Sequence, residues 1–133
     1  IEFMSSFQKH KRSTAGSRMM LSMPSTVIVV LTNCPDQETA QRIARRLVHE
    51  GLAACVNILA PVCSVYHWEG KLEEHTEVPL LIKSTAARYR ELEAAIVEQH
   101  PYSVAEVIAL PVSAGFEPYV QWVEAQVQKR LGG

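Results

Sequence analysis

The sequence predicts one α+β domain whose elements follow the order β-α-β-β-α-β, with an extra helix at the C-terminal end. Short apolar runs rich in β-branched residues alternate with segments in which apolar residues recur every three to four positions. A turn centred on Gly70 joins two of the apolar runs into a long hairpin. Of the 133 residues, 47 % are hydrophobic and 20 % are charged, which is ordinary globular composition and sufficient for one core.

The first strand is predicted from Thr26 to Leu31, because this run is apolar and β-branched almost throughout. A turn over residues 33–36 ends it, and either Asn33 or Asp36 can cap the helix that follows. Gly51 is a natural stop for that helix. Its apolar residues share one face and are Ala40, Ile43, Ala44, Leu47 and Val48.

The hairpin is predicted from two apolar runs, 52–59 and 62–68, and from a returning strand over 72–83. Pro61 interrupts the outgoing arm. Pro79 lies in the returning arm, where it removes one backbone donor, so we expect it at an edge or a bulge. The resulting hairpin is longer than a small sheet requires.

The second helix is predicted to be capped at residues 84–85 and to end before Pro101. The fourth strand is predicted over 104–110, and a third helix opens at Pro118. The apolar stripes of the two helices are Tyr89, Leu92 and Ile96, and Tyr119, Trp122, Val123 and Val127.

This order is the ferredoxin-like split β-α-β arrangement, in which two helices cover one face of an antiparallel sheet. The other face then needs a cover of its own. Strands that are apolar on both faces, together with the long hairpin, indicate that a neighbouring subunit supplies it. Self-association is also a plausible source of stability for a domain of this size.

Residues 1–24 are interpreted as a tail, and residues 25–133 as the domain. The three residues before Met4 are typical of a cloning-derived extension. Between Phe3 and Pro35 the chain has no acidic residue but carries basic residues among serines, which is also a pattern of organellar leaders. We interpret the tail as an extension or a mis-assigned start, with an organellar leader as the alternative. A cytoplasmic location follows from the first interpretation.

Composition and motifs exclude several classes of function. The net charge is −1 and no basic stripe is interleaved with aromatics, which argues against nucleic-acid binding. No apolar run approaches the ~20 residues of a membrane span, so no membrane insertion is expected. The three cysteines have no framework spacing, which favours a reducing, cytosolic setting. No G-x-S-x-G, P-loop or H-E-x-x-H motif is present, so we predict no catalytic residues and no enzyme.

Four segments carry a resemblance to a known family: 51–57 (GLAACVN), 68–73 (WEGKLE), 77–84 (EVPLLIKS) and 100–112, which holds both HPY and EVIALPV. In this order and at this spacing they resemble the CutA family, the divalent-cation tolerance proteins, over about residues 26–131. The resemblance implies a ferredoxin-like protomer and a homotrimer whose long strands pair between subunits. It also implies a response to copper and other divalent metal ions, with no accepted enzymatic activity.

The resemblance further implies a metal site built from a thiol, a carboxylate and an imidazole, which we place at Cys34, Glu77 and His100. By the sequence alone, Cys34 lies at a helix N-terminus, where the dipole would lower the pKa of the thiol. A set of sulfur, nitrogen and oxygen ligands suits copper or zinc, so the possible bound ion is Cu or another divalent metal. The alternative is that the three are a turn residue, an edge charge and a helix-end cation.

A second metal possibility is the strand pattern of Glu73, His75 and Glu77, which would place alternate side chains on one face. The pair His75 and Glu77, two residues apart, can chelate a metal ion, and Glu73 joins them if the strand is regular. Threefold symmetry would repeat this group three times. The alternative is a solvated edge that charge protects from further pairing.

Aromatic residues suggest a cleft near Trp68 and Tyr102, with Lys83 as a polar anchor. The alternative is that these aromatics pack in a subunit interface. A ligand cleft would favour a small-ligand or protein-binding regulatory or scaffold trimer, resembling the nitrogen-regulatory signal transducers. Those proteins carry a long loop where this chain has only the turn at residues 69–71.

Overall fold

The computed structural model describes residues 26–128, and within them five strands and three helices follow the predicted α+β order. The predicted tail, residues 1–24, lies outside the described residues. In chain order the elements are β1 (Val27–Cys34), α1 (Gln37–His49), β2 (Cys55–Ile58), β3 (Val62–Trp68), β4 (Lys71–Thr85), a 3₁₀ turn (Ala86–Arg88), α2 (Tyr89–Gln99), β5 (Ile108–Pro111) and α3 (Glu117–Val127).

The sheet is antiparallel in the order β2-β4-β1-β5, which confirms the predicted ferredoxin-like arrangement. β4 is its longest strand and has two halves. The half from Val78 onward pairs with β1 on one side, and its residues 80–83 pair with β2 on the other. The half before Val78 pairs only with β3 and extends beyond the rest of the sheet as a hairpin.

β2 and β3 behave as one interrupted strand along β4. Ile58 faces Leu80 and Val62 faces Glu77, so three residues on one arm oppose two on the other. This is a bulge, and Pro79 lies in it, as its missing backbone donor predicts. The carbonyl of Pro79 still accepts a hydrogen bond from the Leu59 amide at 3.0 Å.

The main core lies between one face of the sheet and helices α1 and α2. Alternate strand residues such as Val30, Leu80 and Ile82 point to this side and are fully buried. They pack with the apolar stripes that predict the two helices. Helix α1 begins after Asp36, whose carboxylate accepts a hydrogen bond from the Thr39 amide at 2.7 Å and thereby caps the helix.

The opposite face of the sheet is only partly covered. Helix α3 packs a small second cluster against one end of it, where Val27, Val123 and Val127 are buried. Farther along, Ile108 and Leu110 stay half exposed on this face, opposite Leu31 and Val29. No helix within residues 26–128 is long and apolar enough to cross a membrane.

Three predicted boundaries are wrong. β1 continues to Cys34, so that cysteine belongs to a strand and not to the turn before α1. β4 continues through Ser84 and Thr85, and neither side chain caps a helix. β5 covers residues 108–111 only, because residues 104–107 leave the sheet and form a loop.

Candidate functional site

A cleft of about 640 Å³ lies between the projecting hairpin and the loop that joins α2 to β5. Its wall contains three aromatic side chains and three carboxylates. The aromatic residues are Tyr66, Trp68 and Tyr102, and the acidic residues are Glu73, Glu77 and Glu106. The hairpin and the loop thus contribute both kinds of group, which makes the cleft the principal candidate for function.

Strand register explains why the hairpin presents these groups together. Tyr66 lies directly opposite Glu73, and Ser64 lies opposite His75, so their side chains share one face of the hairpin. Tyr66 and His75 have their rings stacked with centroids 5.9 Å apart. His75 Nε2 lies 3.0 Å from Glu73 Oε1. The predicted common face for alternate β4 residues is therefore present.

Glu77 is the buried acid of the cleft, with only 6 % of its surface exposed. This burial is not predictable from the sequence, in which Glu77 has the pattern of a charged residue on an edge strand. The Tyr102 hydroxyl donates a hydrogen bond to Glu77 Oε2 at 3.1 Å. Burial of the phenol and this bond to the carboxylate raise the pKa of Tyr102 to about 12. Tyr102 therefore remains a hydrogen-bond donor at physiological pH.

His100 fixes the loop beside the cleft. Its Nδ1 accepts a hydrogen bond from the Tyr102 amide at 3.2 Å, and its Nε2 lies 2.6 Å from the Asn33 carbonyl oxygen. An amide can only donate and a carbonyl can only accept, so the ring carries its proton on Nε2. Both ring nitrogens are consequently occupied, and His100 has no free lone pair for a metal ion.

Cys34 is fully buried at the end of β1. Desolvation raises the pKa of its thiol to about 11, and the negative charges of Asp36 and Glu77 add to this shift. The expectation of a lowered pKa at a helix N-terminus is thus wrong, because the residue lies inside the strand. A buried, protonated thiol is a poor metal ligand.

The predicted metal set therefore lies at one end of the sheet but does not form an open coordination site. Across residues 26–128, no group of three or more His, Cys, Asp or Glu side chains could hold a metal ion. The donor atoms of His100 already have partners, and the thiol of Cys34 is shielded from solvent. The described residues of this chain alone therefore do not fit a bound divalent cation.

The predicted cleft residues divide into two groups. Trp68 and Tyr102 line the cleft together, whereas Lys83 does not. Lys83 is six residues beyond Glu77 on β4, which corresponds to about 20 Å along a strand. Its ammonium group donates a hydrogen bond to the side-chain carbonyl of Asn57 instead.

The sequence does not predict Glu106 as a cleft residue, because the surrounding apolar run predicts a continuous strand over 104–110. In the structure its Oε1 accepts a hydrogen bond from Asn33 Nδ2 at 3.1 Å, across the point where β5 has left β1. The available signal was the acidic residue itself, since Glu106 interrupts a run that is otherwise apolar.

Comparison with known proteins identifies similar chains over most of the described region. The family model described as CutA1 divalent ion tolerance protein matches residues 28–126. Protein CutA from Homo sapiens is 45 % identical over 101 residues, covering 76 % of this chain and 56 % of the human one. Divalent-cation tolerance protein CutA from Pectobacterium atrosepticum is 43 % identical over 101 residues, covering 76 % and 92 % of the two chains. The alignment thus spans little more than half of the human relative.

Structural comparison gives the same picture. The crystal structure of CutA from the bacterium Xylella fastidiosa superposes with a TM-score of 0.77 at 38 % sequence identity. The match covers 78 % of this chain and 100 % of the other. This chain thus resembles the Xylella fastidiosa protein in both sequence and fold.

Proposed function

The chain belongs to the CutA1 divalent ion tolerance protein family, and from that premise we propose that it acts as a non-enzymatic homotrimer that binds copper-type divalent cations. The observation that carries the proposal is the family match over residues 28–126, which is nearly the whole described chain. The relative from Pectobacterium atrosepticum is named a divalent-cation tolerance protein. We propose a cytoplasmic location, which three cysteines without disulfide spacing support.

The projecting hairpin supports the assembly. Before Val78, β4 has a partner strand on one side only, so its other edge is open within the described chain. An open edge readily pairs with a strand of another chain. Large apolar side chains on the hairpin are exposed, with Leu72 at 64 % and Val65 at 59 %. Exposed apolar groups beside an open edge favour association with further copies.

The half-covered face of the sheet supports the same assembly. Ile108 and Leu110 remain 50 % and 49 % exposed there, although they are flanked by half-buried Val29 and Leu31. Helices cover the other face completely enough to bury Val30 and Ile82. A trimer that packs these open faces together would give each sheet a cover on both sides.

The cation would then bind through donors from more than one protomer. His75 and Glu73 are the accessible nitrogen and oxygen donors of the hairpin, and Glu77 follows on the same face. An imidazole with carboxylates suits copper or zinc. A trimer supplies each donor three times, which compensates for the lack of a three-ligand group among residues 26–128 of a single chain. Cys34 could bind the ion only if it became exposed, and His100 only if one of its two hydrogen bonds broke.

Native mass spectrometry of the tag-free full chain, with and without a small excess of Cu²⁺ or Zn²⁺, tests both halves of the proposal. We expect the mass of a trimer carrying a fixed number of metal ions. His75→Gln should lose the metal, whereas His67→Gln should retain it, because His67 pairs with Leu72 and points to the other face. A monomer mass contradicts the assembly. Equal metal binding by the two variants contradicts the donor assignment.

The cleft favours a second candidate, a regulatory trimer that binds a small ligand. Its volume of about 640 Å³ lies in the range of about 300–1,000 Å³ that small-molecule pockets occupy. A thermal-shift screen with small metabolites tests this candidate, and the absence of any stabilising compound would count against it.

A further inference from the structure

We propose that the cleft binds an organic cation, namely an alkylammonium or guanidinium group on a short apolar body. The charged group would lie among Glu73, Glu77 and Glu106, and the apolar body would lie against Trp68. The inference rests on the second candidate function, a cleft that binds a small ligand, and names the class of that ligand; it requires no metal ion.

The charge of the cleft is one-sided. Three carboxylates line it, but none of the described lysine or arginine side chains does. Lys71, which lies opposite Trp68 at the tip of the hairpin, is not among the lining residues. Among residues 26–128, Glu77 and Glu106 form no ion pair, and Glu73 pairs only with His75. The negative potential is therefore left for a ligand to neutralise.

Glu77 gives the strongest electrostatic reason. A carboxylate that is 94 % buried normally has a cationic partner or a set of hydrogen bonds, because removing its charge from water is costly. Glu77 has a single neutral donor, the Tyr102 hydroxyl. Glu77 also lines the cleft, so a cation that enters would reach a buried charge not yet compensated.

The aromatic residues specify the kind of cation. Trp68 is 50 % exposed, and Tyr66 is 40 % exposed. Indole is the best aromatic partner for a cation, and ammonium or guanidinium groups bind over its face. Apolar carbons of the same ligand would bury the exposed aromatic surface, which a hydrated inorganic ion cannot do.

The geometry argues against an inorganic ion as the occupant. Each cleft carboxylate has its own separate partner: Glu77 binds the Tyr102 hydroxyl, Glu106 binds the Asn33 amide, and Glu73 pairs with His75. The carboxylates are spread around a cavity of about 640 Å³. Divalent cations need converging ligands at 2.0–2.6 Å, and no such group of three exists within residues 26–128. An organic cation needs no converging set of three ligands, because a single carboxylate can accept hydrogen bonds from its charged group.

Isothermal titration calorimetry of the full chain tests the proposal. The titrants are 1,4-diaminobutane and, as the uncharged control, 1,4-butanediol. We expect the diamine to bind and the diol not to bind at the same concentrations. Added salt should weaken the binding of the diamine. Trp68→Ala should weaken it by about tenfold, which is the range expected for loss of a cation–π contact.

Matched acid variants separate the cleft from general surface charge. Glu73→Gln and Glu106→Gln should each weaken diamine binding several-fold. Glu74→Gln should leave it unchanged, because residue 74 alternates to the other face of the hairpin and is absent from the cleft. All three variants remove one negative charge, so equal weakening by all of them would overturn the proposal. Thermal unfolding of each variant verifies that it is folded. If Trp68→Ala does not fold, Glu106→Gln still tests the proposal, because Glu106 lies outside the hairpin.

Failure of the organic-cation proposal can be distinguished from failure of the proposed metal-binding function. A trimer that binds Cu²⁺ or Zn²⁺ but not the diamine would overturn this inference and leave the tolerance function intact. Diamine binding without any defined metal would do the reverse. If Zn²⁺ displaces the diamine and Glu106→Gln loses both ligands, the cleft is a general cation site and the assignment to organic cations is wrong.

Discussion

At the scale of single residues, two of the three cysteines illustrate how strongly the environment determines chemistry. Cys34 is buried and Cys63 is exposed. Because burial raises the pKa of the Cys34 thiol to about 11, almost none of it is thiolate at pH 8. We expect iodoacetamide at pH 8 to modify Cys63 rapidly and Cys34 only after unfolding. Peptide mass mapping of the native and denatured protein measures both sites.

The cysteine prediction has an internal control, since Cys63→Ser should abolish the fast modification and Cys34→Ser should not. Rapid modification of Cys34 in the folded protein would contradict its burial at the end of β1.

The hydrogen bond between Tyr102 and Glu77 predicts a dependence of stability on alkaline pH. A pKa raised to about 12 in the folded state lies above the value of about 10 expected in the unfolded state. The stabilisation is thus fully present below pH 10 and is lost as pH rises towards 12. Tyr102→Phe should lower the free energy of unfolding by about 1 kcal/mol at pH 7, the usual net worth of such a bond.

Urea unfolding of both proteins at several pH values measures this effect. The difference between wild type and Tyr102→Phe should shrink between pH 10 and 12. Tyr66→Phe is the matched control, because the Tyr66 hydroxyl forms no hydrogen bond within residues 26–128 and its removal should change little. A difference that stays constant up to pH 12 would contradict the assigned bond.

At the scale of elements, one buried hydroxyl joins the long strand to the turn after α1. Ser84 is fully buried, and its Oγ donates a hydrogen bond to the Leu52 carbonyl at 2.6 Å. Ser84→Ala leaves that carbonyl without its partner, so we expect a loss of about 1–3 kcal/mol in the free energy of unfolding. Ser103→Ala, at an exposed loop position, should change it by less than about 0.5 kcal/mol.

Chemical denaturation of the two serine variants decides the matter, and equal stabilities would show that Ser84 contributes no structural hydrogen bond.

The elements also show which features can be predicted from sequence. Apolar periodicity located α1 and α2, and Pro79 indicated the bulge, because these signals depend on neighbouring residues alone. The end of β1 could not be predicted, since a turn signature at residues 33–36 competes with pairing between Cys34 and Val78. Pairing with a strand more than forty residues away determined the outcome.

The cleft follows the same division. Alternation along β4 predicted that Glu73, His75 and Glu77 would share a face, and register confirmed it. The burial of Glu77 and the locked ring of His100 depend on where the loop after α2 lies. Contacts of that kind arise only in the folded chain, so a ligand set inferred from residue types could not reveal that its donors are occupied.

At the scale of the whole molecule, the uncovered sheet face predicts where association can be disrupted. Leu110 is 49 % exposed on this face, and Val97 is 53 % exposed on α2, in the helical layer. A charge placed within an apolar interface is costly to bury, whereas the same charge on a solvated helix is tolerated. We therefore expect Leu110→Glu to dissociate the proposed assembly and Val97→Glu to preserve it.

Light scattering coupled to size-exclusion chromatography measures the mass of both variants. Because association adds stability by mass action, the melting temperature of the wild type should also rise with protein concentration, and that of dissociated Leu110→Glu should not. A monomeric Val97→Glu protein would place the contact on the helical layer instead. An unchanged mass for Leu110→Glu would mean that this part of the open face faces solvent, and the projecting hairpin would then have to supply the association alone.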